Sequence, residues 1–100
     1  MHKEIVWSLL AVSDIENILD YLSDNWNQQV ALKFISEVEN LLASISKQPK
    51  LFPTINKKNK VRKCVITKHN TLYYREHNNT IQVLRIFDSR QHPEKLNLKT

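Results

Sequence analysis

One hundred residues make one domain with a small core. Fifteen Lys and Arg against ten Asp and Glu leave a net charge of +5, with no glycine and one cysteine. This composition excludes a Walker loop and a dinucleotide fingerprint, whose glycines let backbone amides wrap a phosphate, and equally an intrachain disulfide or a multi-cysteine zinc site.

In chain order, residues 3–7 (Lys-Glu-Ile-Val-Trp) read as a short strand. An amphipathic helix follows over roughly 8–25, with Ala11, Ile15, Ile18, Leu19 and Leu22 along one face and Asp14, Glu16, Asp20 and Asp24 off it. Asn25 to Gln28 breaks that period. A second helix is predicted over roughly 28–46, its apolar face made by Val30, Phe34, Val38, Leu41, Leu42 and Ile45. So short a connection implies an antiparallel helical hairpin. Residues 47–60 read as a loop, because Pro49 and Pro53 deny helix continuation.

Three strands are then expected: 61–66, 71–76 and 80–87. Residues 67–70 and His77-Asn78-Asn79 are turn signals, Asn being the best non-glycine residue at positive φ. A two-residue turn at Asn78-Asn79 predicts Arg75 opposite Gln82 and Leu72 opposite Arg85. A turn at 67–70 predicts Arg62 opposite Arg75, a like-charge pair suited to a face that grips an anion. Residues 88–100 are expected to form a turn and a short helical segment.

Charge divides sharply along the chain. Residues 1–46 hold two bases and seven acids, net −5; residues 47–100 hold thirteen bases and three acids, net +10. The second half therefore points to an anionic partner, either nucleic acid or an acidic protein segment. Arg62, Lys63, Lys68, Arg75, Arg85 and Arg90 lie on or beside the predicted sheet, and Tyr73 and Tyr74 lie among them as candidates for stacking on bases. His2, His69, His77 and His92 show no ligand spacing, so no metal site is expected. His92 sits in the basic C-terminal turn and is the candidate general acid or base for RNA cleavage. No apolar run approaches the ~20 residues that span a bilayer. The polar start at Met1 to Glu4 argues against a signal peptide, and a single Cys64 is compatible with a reducing cytosol.

The ordered combination of strand, helical hairpin, proline-containing loop, three antiparallel strands and basic tail resembles the RelE/ParE superfamily of toxins from bacterial type II toxin–antitoxin modules. The resemblance is carried by Val61-Arg62-Lys63, Leu72-Tyr73-Tyr74-Arg75, Ile81-Gln82-Val83-Leu84-Arg85-Ile86-Phe87 and Ser89-Arg90-Gln91-His92-Pro93. Upstream it includes Ala11, Asp14-Ile15, Ile18, Asp20-Tyr21-Leu22, Pro49 and Phe52-Pro53. It covers nearly the whole chain, 1–100, as a single toxin domain. It implies an α+β fold: an N-terminal strand and a helical hairpin on a small antiparallel sheet. It implies a cytoplasmic growth inhibitor of the plasmid-stabilisation type, without a cofactor, neutralised by a cognate antitoxin.

Two activities occur in the superfamily. RelE-like members cleave mRNA in the ribosomal A site with basic residues and a C-terminal acid or base, here Arg62, Arg90 and His92. ParE-like members inhibit DNA gyrase by binding. Thr71 and Cys64 stand where the nucleases tend to carry bases, and the Val-Arg-Lys and Leu-Arg-Ile-Phe strands look more ParE-like. Arg62, Lys63, Arg75, Arg85 and Arg90 are the expected contacts to antitoxin, target or RNA phosphate. A non-toxic basic module for nucleic acid or an acidic peptide is the alternative of a different class.

Overall fold

A computed structural model describes residues 3–90. The elements are β1 (Glu4–Trp7), α1 (Leu9–Asn25), α2 (Gln28–Lys47), β2 (Thr54–Asn56), β3 (Val61–Thr67), β4 (Asn70–His77) and β5 (Thr80–Asp88). They form one five-stranded sheet in the order β1-β5-β4-β3-β2, with the helical hairpin across one face.

Both helices start where a side chain can replace a missing backbone partner. Ser8 Oγ accepts from the Ala11 N–H at 3.0 Å, and Asn27 Oδ1 accepts from the Val30 N–H at 2.9 Å. Ala11, Ile18 and Leu22 of α1 and Phe34, Val38, Leu42 and Ile45 of α2 bury against Cys64, Leu72, Tyr74, Ile81, Val83 and Ile86 of the sheet. Each large aliphatic or aromatic side chain removed from water in this way contributes about 1.5–3 kcal/mol, so the two apolar stripes hold hairpin and sheet together. Val30 departs from the expectation: it lies exposed near the start of α2, and Ala31 takes the buried position.

β1 joins the sheet parallel to β5, with Ile5 opposite Ile81 and Trp7 opposite Val83; the other pairings are antiparallel. The stretch read as a loop over 47–60 contains β2. This strand is three residues long and shifted in register against β3, so its pairing comes from β3 and not from a pattern of its own.

The Asn78-Asn79 hairpin forms as expected, with φ of 47° and 66°, and places Arg75 opposite Gln82. Such positive φ values match the twist of the flanking strands. The other two registers differ by one residue. Leu72 faces Ile86, and Tyr73 faces Arg85, because β5 carries an extra residue between Val83 and Arg85. Arg62 faces Tyr74, so the like-charge pair with Arg75 does not form. The Lys68-His69 turn between β3 and β4 has no positive φ. Its twist is wrong for a regular two-residue hairpin, and the irregularity at Ile66 takes up the difference.

Candidate functional site

The five predicted binding residues do not share one surface. Lys63 pairs across the strands with Tyr73, and Arg75 lies two residues further along the same side of β4. Both therefore stand on the face away from the helices, beside a second apolar cluster of Val61, Tyr73, Leu84 and Phe87. Arg75 Nε donates to Gln82 Oε1 at 2.8 Å, a neutral partner that leaves the guanidinium charge unbalanced by a carboxylate among the described residues. Arg62 lies on the helix side, where its Nη1 donates to the Phe52 carbonyl at 2.7 Å and fixes the α2–β2 connection.

Arg85 and Arg90 are engaged with carboxylates. The extra residue in β5 turns Arg85 toward α1, where Nε and Nη2 donate to Asp14 Oδ2 and Oδ1 at 2.7 and 3.0 Å. The same carboxylate accepts the Ile86 N–H at 3.0 Å. The hydrogen bonds to Asp14 hold the Arg85 pKa above its ordinary range. Arg90 donates through Nε and Nη2 to both oxygens of Asp88, at 2.9 and 2.7 Å, and lies over the Tyr21 ring at 4.5 Å. Burial pushes the Asp88 carboxyl up, but the hydrogen bonds from Arg90 outweigh it and leave the pKa below the usual value.

The aromatic residues expected between these bases are not open to a ligand. Tyr74 is fully buried and donates its hydroxyl to the Pro49 carbonyl at 2.9 Å; Tyr73 is buried in the second cluster. Burial raises the pKa of both phenols. Cys64 sits in the core with its thiol pushed up to about 11 by desolvation, so it is inert as a nucleophile near neutrality. His92 lies outside the described residues. Asp14 was missed as a site organiser in sequence. Its signal was present, since it is the acid nearest the apolar stripe of α1, but its partner lies 71 residues away.

Residues 5–93 match the family "ParE toxin of type II toxin-antitoxin system, parDE". The chain belongs to this ParE toxin family. Membership implies a cognate antitoxin. Two solved structures share the fold. The "Chromosomal ParDE TA system from P. aeruginosa" is 18% identical, with 87% of this chain and 96% of that chain covered at a TM-score of 0.73. The "YoeB/ParE toxin from Agrobacterium tumefaciens" is 14% identical, with 85% and 96% covered at a TM-score of 0.64. No curated protein matches the sequence significantly. The ParE toxin is thus an α+β chain in which no described helix is long and apolar enough to cross a membrane.

Proposed function

We propose that this chain arrests bacterial growth by binding DNA gyrase in the cytoplasm, and that a cognate antitoxin neutralises it. The match of residues 5–93 to the ParE toxin family carries this reading. Among the described residues, the carboxylates and phenols beside the sheet arginines are ill suited to the proton transfers of RNA cleavage, and His92 lies outside them. Cleavage without a metal needs a base for the 2′-hydroxyl, an acid for the leaving oxygen and cations for the phosphorane charge. Here Asp14 and Asp88 already engage Arg85 and Arg90, and burial takes Tyr73 and Tyr74 out of proton transfer at neutral pH. Binding needs no proton transfer. Lys63 and Arg75 on the open face of the sheet supply its charge.

The test is induced expression in a bacterial host, with and without the neighbouring gene. Growth arrest relieved by that gene, with cleaved DNA–gyrase complexes accumulating in its absence, is the expected outcome. Toxicity survives His92→Ala and falls in Lys63→Glu/Arg75→Glu. If instead mRNA is cut at ribosomes and His92→Ala abolishes the arrest, the chain is an endoribonuclease.

A further inference from the structure

At the tip of the helical hairpin a cleft of about 470 Å³ opens between the helices and the β3–β4 turn. Its apolar wall is Leu22, Trp26, Val30 and Phe34, and Lys68 and Asn70 stand among the residues across from it. Three observations mark it as incomplete. Trp26 is 67% exposed at the end of α1, where an indole has every reason to be covered. Asn70 is 4% exposed, yet its Nδ2 has no hydrogen-bond partner, while its Oδ1 accepts from Thr67 Oγ1 at 2.7 Å. Turning the amide over only exchanges which end is left unpaired, so an acceptor or donor is missing here in either orientation. Finally, the rim carries three bases, Lys33, Lys68 and Arg90, against one acid, Glu37, and Lys33 and Lys68 have no carboxylate within ion-pair distance among the described residues.

An apolar pocket with an exposed Trp, a cationic rim and one unmet polar group has the anatomy of an anchor site in a protein interface. We infer that this cleft seats a bulky apolar side chain of the antitoxin, carried on an acidic segment whose carboxylates meet Lys33 and Lys68. The occupant follows from charge complementarity: rim cations select acids, and the Leu22–Phe34 wall selects an apolar anchor between them. The inference rests on the antitoxin reading above and adds where, and by what chemistry, the antitoxin holds.

Trp7 and Trp26 are the only tryptophans, so in a Trp7→Phe background Trp26 reports occupancy of the cleft. The probe is the purified protein encoded by the neighbouring gene, added to the full-length chain. Calorimetry measures binding and Trp26 emission reports where it occurs. Binding accompanied by a blue shift of Trp26 emission is expected. Val30→Glu, an exposed position that folding tolerates, weakens binding by about tenfold or more and abolishes the shift. Lys68→Glu weakens it less, and the deficit shrinks at high salt. Growth arrest by Val30→Glu in the absence of the neighbouring gene stays as in the parent.

Binding with unchanged Trp26 emission overturns the inference and leaves the antitoxin reading standing. No binding by calorimetry overturns both. A red shift in the free protein on Leu96→Glu/Leu98→Glu assigns the cleft to the chain's own residues and also overturns it.

Discussion

Asp14 is the most consequential polar residue of the described chain. One carboxylate ties α1 to β5 through two bonds from Arg85 and one from the Ile86 amide. The two side chains are only 15% and 13% exposed, so neither is well solvated if the other is lost. Asp14→Ala strands a guanidinium and a backbone N–H, and urea unfolding of the variant should show a loss of about 3 kcal/mol. Asp14→Leu/Arg85→Met removes both partners and recovers most of it. If the single variant is as stable as the parent, the triad contributes nothing.

Asp88 makes a separate claim about pH. Its folded pKa lies below the ordinary carboxylate value. The folded state therefore gives up that proton more readily than the unfolded chain. The resulting stability is complete above about pH 4, the unfolded value, and is lost as pH falls through the folded value. Asp88→Asn should flatten the acid limb of the stability curve relative to the parent. Equal acid limbs would remove Arg90–Asp88 from the account.

Among the elements, β5 depends on α1 where it outruns β1. β1 ends at Trp7, opposite Val83, so the following stretch of β5 has no strand beside it on that edge. The start of α1 takes over: the Ser8 N–H donates to the Val83 carbonyl, Ser8 Oγ donates to the Leu84 carbonyl at 2.7 Å, and Asp14 receives Ile86 N–H. Ser8 is also the N-cap, accepting from the Ala11 N–H. Ser8→Ala loses both roles at once and should cost about 1–2 kcal/mol in chemical denaturation, more than a cap alone in a solvated helix. Ser8→Thr keeps the hydroxyl and should lose only a fraction of that. The opposite sheet edge is handled differently. β2 is short, out of register and followed by Lys57, Lys58 and Lys60, which discourages strand addition there.

At the scale of the whole molecule, the fold converts the charge division along the chain into a spatial one. The acidic first half supplies the helices on one face, and the basic second half supplies the strands whose other face carries Lys63 and Arg75. Acid and base meet where Asp14 engages Arg85 and where Lys3 pairs with Glu76 at 3.0 Å. The remaining excess of bases should steer an acidic partner. The association rate with the antitoxin is expected to fall steeply between about 0.05 and 0.5 M salt while dissociation changes little. Stopped-flow measurement decides this, and a salt-independent association rate would mean that the basic excess plays no part in encounter.

Much of this architecture is legible in the residues alone. Periodicity located both helices and three strands, because burying Ile18, Leu22, Phe34 and Val38 demands a 3.6-residue repeat whatever the helices rest on. Asn78-Asn79 announced its hairpin, since in a chain without glycine asparagine is the residue best able to hold φ of 47° and 66°. The charge division needed only counting. What stayed hidden depends on residues distant in sequence. β2 exists because β3 offers it hydrogen bonds, and the parallel pairing of β1 with β5 has no local turn to signal it. The two register shifts moved Leu72 from Arg85 to Ile86 and Arg62 from Arg75 to Tyr74. Above all, the sequence presents Arg85 and Arg90 as free cations. Only the folded chain brings Asp14 across to the one and curls Asp88 back onto the other, because the strength of an ion pair depends on distance in space and on burial, neither of which a linear pattern contains.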